Sequence, residues 1–360
     1  MSAAEYAGVV AGREDAGEAR TAPESDSAAS ASPARRPLAV LLRPLDRLAW
    51  LIDGSAPAQA PGAARLRQVV SLLFLAYGIV LAGTAVARGA APSMGSVVLM
   101  MLAVALFLGR GGRFVRDLVP VGLGLLSYGL VSKYAERLDF SVHYKPQIDV
   151  DRVIGFGAVP TVWLQHHLYH GRTGPLELFA AAMYLSHFLV PIVLGFALWC
   201  TGRARAYAAL MFGILTALVL GEMTFVLAPT APPWLAAEHG FLPPVHHVIR
   251  NAFGDLHMSK VAQLDGDPTK YNIVAAVPSL HVGFPVVSLL VSIRYRLPHW
   301  VRWLLVLQLL GVTFAIVYAG EHYVVDALAG IVCGVAASWI VANTLTSEKA
   351  PSAAQAVTGA

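Results

Sequence analysis

The chain has 360 residues, 56% hydrophobic and 13% charged, with a formal net charge of +4 and a mean hydropathy of +0.61. Soluble domains carry about 25% charged residues, so this deficit excludes an ordinary soluble domain and points to a helical membrane protein. The few basic residues cluster in short loops, which fits membrane orientation and excludes a nucleic-acid footprint.

Residues 1–64 read as a cytoplasmic tail. Ala, Ser, Pro, Glu and Arg dominate positions 1–37, a disordered composition. Leu38–Ile52 is amphipathic with Arg43 and Arg47. It reads either as a helix on the inner membrane surface or as a linker broken at Pro44. No cleavable signal-peptide pattern opens the chain, so the first span is expected to direct insertion. A membrane catalytic domain is expected over 65–345, and a disordered tail over 346–360.

Eight segments approach the roughly 20 apolar residues that a span needs. They run near 67–87, 94–109, 116–132, 175–200, 206–228, 279–296, 301–320 and 324–344. The second and third are short, and Pro120 interrupts the third. The expected fold is an all-α polytopic transmembrane bundle of about six to eight spans.

With eight spans, one side receives the Arg-rich tail and three short basic loops. These carry Arg110, Arg113 and Arg116; Arg203 and Arg205; and Arg294, Arg296 and Arg302. That side is cytoplasmic by the positive-inside rule. The other side receives the long connections 133–174 and 229–278 and a tight turn before His322. Ten of the twelve histidines fall there.

Two motifs carry the chemistry. Pro278-Ser279-Leu280-His281 opens one apolar segment, and His322-Tyr323-Val324-Val325-Asp326 opens another. On a helix, His322 and Asp326 at i and i+4 share a face. The carboxylate can then hold the imidazole Nδ1–H and leave Nε2 free to attack phosphorus. Pro278 suits a helix start and Ser279 a cap, so His281 is placed to protonate a leaving oxygen. Taken singly, each motif also reads as an ordinary buried pair or a capped helix; together they read as a catalytic triad.

These residues resemble the phosphatidic acid phosphatase type 2 superfamily, which shares a Pro-Ser-(Gly or Leu)-His motif and a downstream His-x-x-x-Asp motif. The closer resemblance is to the inositolphosphotransferase branch of aureobasidin-resistance and inositol phosphorylceramide synthase type. It rests on Val277–Gly283 and Tyr318–Gly330, supported by Ala228–Trp234, His143–Asp149 and Pro160–Gln165, and covers about 125–345. It implies a six-helix phosphatase/phosphotransferase core with His322 as nucleophile, Asp326 as its orienter and His281 as acid. One departure is plain. Where many superfamily phosphatases carry Ser-Arg ahead of the second His, this chain has Ala315 and Ile316, so the phosphate-binding cation is missing there.

Transferred phosphate still calls for positive charge or fixed donors. Lys133 and Arg137, spaced i and i+4, are the first candidates, followed by Lys145, Arg152 and Arg250. Ser279, Tyr318 and Trp234, which lie in the quoted motifs, complete the expected substrate contacts. Glu222, inside an apolar segment, reads either as a substrate contact or as a partner of His187 or a hydroxyl. His187 reads either as a residue lining the pocket or, preferably, as a satisfied core histidine. His166 and His170 have metal-like spacing but no further ligands, and an interfacial helix anchored by Trp163 and Tyr169 fits better. Cys200 and Cys333 lie in apolar runs, which excludes a disulfide framework or thiolate metal site.

The expectation is an enzyme of the cell membrane with its site on the extracytoplasmic face and no metal or cofactor. It takes a phosphoryl or phospho-headgroup from a lipid phosphate or phospholipid and passes it to an alcohol or to water. An alcohol acceptor makes it a phosphotransferase, as the resemblance favours; water makes it a lipid phosphate phosphatase. A lipid transporter or scaffold with a vestigial site is the rival, and the intact His281, His322 and Asp326 argue against it.

Overall fold

The computed structural model describes residues 63–90, 92–135, 141–258 and 272–347. Most of the expected tail, including Leu38–Ile52, lies outside these residues, as do Arg137 and the last thirteen positions. The described residues are mostly helical. In chain order the helices are α1 (Ala63–Ala87), α2 (Met94–Phe107), α3 (Gly111–Ala135), α4 (Lys145–Ile154), α5 (Pro160–Leu168) and α6 (Pro175–Cys200). There follow α7 (Ala204–Leu227), α8 (Pro233–Glu238), α9 (Val248–Asp255), α10 (Leu280–Arg294), α11 (His299–Tyr318) and α12 (Val324–Ser347).

Each of the eight expected apolar segments is one helix. Five of them, within α1, α6, α7, α11 and α12, are long and apolar enough to cross a membrane. The protein is an all-α multi-pass membrane protein. The other three differ for identifiable reasons. α2 and α10 have only 14 and 15 residues, about 21–23 Å at 1.5 Å per residue. α3 is long, but it carries Pro120 and charged residues at its start.

The short α10 is explained by its place. Val282 through Ser288 are all buried, and the helix packs against α6, α7, α11 and α12. A helix apolar on every side belongs in the middle of a bundle. One core joins α7, α10 and α12 around Leu210, Ala217, Val287 and Ala337. A second joins α10, α11 and α12 around Val282, Val312, Ile316 and Ala327. By contrast α1 exposes Leu72, Leu73, Tyr77 and Val80, side chains suited to lipid rather than water.

α10 and α12 approach unusually closely. A Cβ at Gly330 would stand 2.2 Å from the Ser279 carbonyl oxygen, and one at Gly334 would stand 2.6 Å from that of Gly283. Small residues four apart let two helix backbones meet in this way. The contact sets the starts of α10 and α12, and hence the two motifs, side by side.

Three connecting segments form a further platform at this end of the bundle. His143 pairs with Thr230, and Thr230 with Ala275, both in parallel bridges. The short helix α4, which is amphipathic, and the short helix α5 follow His143 in the chain, and α4 rests on α12.

Candidate active site

His281 is the second residue of α10, and its ring meets that of His322 from 41 residues away. His281 Nδ1 and His322 Nε2 are 3.0 Å apart. His322 Nδ1 lies 3.0 Å from the Ala276 carbonyl oxygen and 3.5 Å from Asp326 Oδ2. A carbonyl only accepts, so the hydrogen-bond pattern assigns the proton to Nδ1 and the lone pair of the neutral ring to Nε2. His281 Nδ1–H then donates to that lone pair. The three expected catalytic residues are therefore together, with Asp326 fully buried and His322 nearly so.

The local geometry differs from the one-helix pairing expected for His322 and Asp326. α12 begins at Val324, so His322 stands in the turn before it. Asp326 Oδ2 reaches back to the Tyr323 N–H at 2.9 Å. The first N–H groups of a helix have no partner within it, and a carboxylate three residues in is well placed to serve one. Asp151, on the buried face of α4, takes the next two: its carboxylate accepts Val324 N–H and Val325 N–H, each at 2.9 Å. Burial pushes the Asp151 carboxyl above its usual range, and those two N–H bonds offset part of the rise. Burial likewise pushes the neighbouring Tyr323 phenol well up.

Ser279 holds the N-cap position of α10, but its hydroxyl makes no capping bond. It is fully buried and has no partner among the described residues. The Ser279 N–H donates instead to the Asp326 carbonyl oxygen at 3.0 Å. Pro278 stands just before the cap, at the helix start. The close approach of α12 at Gly330 fixes this arrangement and ties the two motifs together through their backbones.

The other expected contacts are placed as follows. Tyr318 is fully buried, and its hydroxyl donates to Glu177 Oε1 at 2.5 Å. Trp234 donates its backbone N–H to the Gly320 carbonyl at 3.1 Å. Its ring lies 4.7 Å from that of His247, and His247 Nε2 is 3.0 Å from Glu321 Oε1. Trp234 thus supports the turn that leads into His322. Lys133 lies in α3, and Arg137 lies outside the described residues. Arg152 pairs with Asp149 at 3.5 Å, while Lys145 and Arg250 are exposed. Among the described residues, no hydrogen bond or ion pair joins a Lys or Arg to either catalytic-motif histidine. Glu222 is buried in α7, and its Oε1 has no hydrogen-bond partner among the described residues. α5 ends at Leu168, so His170 falls beyond the helix that carries His166.

Two further residues at the site had roles that the sequence left open. The His187 ring is 4.1 Å from that of His281, and the Tyr184 ring is 4.8 Å from it. The His187 Nδ1 is engaged by the Tyr184 carbonyl one helical turn back. The sequence weighed pocket lining against a core place for His187, and the packing of α6 on α10 sets it beside His281. Gln165, which closes a supporting segment of the resemblance but was given no role there, is the second. Its amide donates to the His246 and Tyr318 carbonyls, each at 2.9 Å, and accepts His246 N–H at 2.7 Å. It holds the end of α11 in place ahead of His322.

This arrangement offers one nucleophilic nitrogen, one proton donor beside it and one carboxylate to balance charge. A family model described as the PAP2 superfamily matches residues 148–340. The chain belongs to the PAP2 superfamily. The matched stretch holds His281, His322 and Asp326, together with Asp151, Gln165 and His187. Among curated relatives, the phosphoinositol dihydroceramide synthase of Bacteroides thetaiotaomicron is 29% identical over 161 residues, which cover 44% of this chain and 52% of that protein. The inositol phosphorylceramide synthase of Candida albicans is 27% identical over 164 residues, 44% of this chain and 34% of that protein. The matches therefore span about half and about a third of these relatives. No solved structure matches this PAP2 chain.

Proposed function

We propose that this protein is an integral-membrane phosphotransferase that works through a phosphohistidine-type intermediate on His322. The observation that carries the reading is the direct contact of His281 Nδ1 with His322 Nε2, on a ring whose other nitrogen is engaged by Ala276 and Asp326. His281 first gives up its bond to His322 Nε2; the freed lone pair attacks the donor phosphorus, and the bond from phosphorus to the lipid oxygen breaks. His281, entering the step as the imidazolium, gives one proton to that leaving oxygen and returns to the neutral ring. The charge gained by the His322 ring is balanced by the Asp326 carboxylate. In the second half, His281 takes the proton of the acceptor hydroxyl, whose oxygen displaces His322 and restores it. Dividing the transfer in this way replaces one difficult displacement with two easier ones. His281 carries out both proton transfers, His322 the displacements and Asp326 the charge balance.

The relatives' names describe inositol phosphate carried on ceramide-type lipids. They support a phosphoinositol-bearing lipid as donor and a lipid alcohol as acceptor here. They also support the transferase reading over the phosphatase reading, in which water takes the acceptor's place. The cell membrane, with the site on its extracytoplasmic face, is the location that the Arg-rich short loops support.

The test uses purified protein in lipid nanodiscs, given a donor lipid labelled in its inositol phosphate. The expected result is acid-labile label on His322, transferred to an added ceramide as a phosphodiester, with none on His322→Ala. Release of inositol phosphate to water alone would instead make the protein a hydrolase of this donor, and free phosphate from a lipid phosphate would make it a phosphatase. No label and no turnover on any donor would end the enzymatic reading.

A further inference from the structure

We infer that Thr230 is a positioning residue for the nucleophile, acting through the single peptide unit that joins Ala276 to Val277. The inference rests on the reading of His322 as nucleophile and deepens it. The Thr230 Oγ1 accepts the Val277 N–H at 3.0 Å. The carbonyl of that same peptide unit is the Ala276 oxygen that accepts His322 Nδ1–H at 3.0 Å. A trans peptide is planar, with its N–H and C=O pointing in opposite directions. Pinning the N–H edge therefore aims the carbonyl edge, and hydrogen bonds in such a chain polarise one another.

Three features favour this path over the neighbouring carboxylate as the group that selects the His322 tautomer. Distance is the first: Ala276 oxygen is at 3.0 Å and Asp326 Oδ2 at 3.5 Å from the same nitrogen. Commitment is the second: Asp326 Oδ2 already accepts the Tyr323 N–H at 2.9 Å. Rigidity is the third. Thr230 is buried, donates its N–H to Val274 at 2.8 Å and accepts Ala276 N–H at 3.3 Å. It is tied in turn to His143, whose carbonyl accepts Ala231 N–H at 3.0 Å. The result is one line of donors and acceptors, running from the Thr230 hydroxyl through the 276–277 peptide and the His322 ring to His281. Asp326 keeps the duty of balancing charge once Nε2 bonds to phosphorus.

The experiment compares Thr230→Val, Thr230→Ala and Thr230→Ser in nanodiscs by steady-state turnover and by the rate at which label appears on His322. Thr230→Val keeps the shape and removes the acceptor. It is expected to lower kcat and the labelling rate together by about tenfold, per mole of folded protein and with KM unchanged. Thr230→Ala should behave in the same way, which covers a valine variant that does not fold. Thr230→Ser should recover most of the wild-type rate, because its hydroxyl is retained. Wild-type labelling in the valine and alanine variants would overturn the inference and leave the nucleophile reading intact. A rise in KM at constant kcat would also overturn it, by making Thr230 a substrate contact. So would failure of serine to restore the rate. Absence of label on the wild-type protein would instead remove the underlying reading.

Discussion

At the scale of single residues, the two histidines differ in what they can offer. His322 presents a lone pair at Nε2, because Nδ1 is occupied by Ala276. His281 presents a proton. Their separate duties imply different responses to the leaving group. With a lipid alkoxide as leaving group, His281→Ala should slow label formation on His322 by about 10²–10⁴-fold, the usual worth of a positioned acid. With an aryl donor, whose leaving oxygen needs no proton, the loss should shrink to within about tenfold. Rapid-quench labelling with both donors measures the ratio, and an equal loss on both would remove the acid role. The motifs themselves were legible in the sequence, because costly polar groups beside apolar runs call for an explanation. What holds them was not. Ala276 and Thr230 act through backbone or local hydroxyl contacts that leave no spacing rule, and the His322–Ala276 bond spans 46 positions. The i,i+4 argument was right that His322 and Asp326 are close. It mistook the reason, since one residue precedes the helix and the other caps it.

At the scale of elements, the apolar segments were readable because lipid demands an uninterrupted run, and each helix start lies within about five residues of its segment. The short α10 shows where that rule stops. Its apolar run is buried in protein rather than presented to lipid, so its length follows its neighbours. Its fit against α12 depends on Gly330, where a Cβ would stand 2.2 Å from a backbone oxygen. Backbone cannot rotate aside as a side chain can, so Gly330→Ala must move α12 away from the start of α10. That separates His322 and Asp326 from His281. The substitution should cost about 1–3 kcal/mol of stability through overpacking, despite the helix propensity that Ala adds. Label formation per folded molecule should fall as well. Gly83→Ala, with nothing within 4 Å of its Cβ, should leave both unchanged. Thermal unfolding in detergent and His322 labelling check the pair, and a Gly330→Ala protein that matches the wild type in both would refute the close-contact argument.

At the scale of the whole molecule, helix order fixes which loops share an end. α10 and α12 start, and α7 and α11 finish, where His281 and His322 meet. The turns after α2, α6 and α10 therefore lie at the opposite end, and these hold Arg110, Arg203 and Arg296. Arg110 Nη1 donates to the Cys200 carbonyl at 3.1 Å, joining two of those turns directly. The single-sign loops at one end and the mixed ones at the other are the pattern expected of a chain inserted with its basic end inside. Single cysteines test this after Cys200 and Cys333 are replaced by Ala. Phe241→Cys, in the exposed connection between α8 and α9, should react with an impermeant maleimide on intact cells. Arg203→Cys, in the turn between α6 and α7, should react only after permeabilisation. The opposite result would turn the histidine pair to the cytoplasmic side. Donor and acceptor would then have to come from the inner leaflet, although the chemistry at His322 would be unaltered.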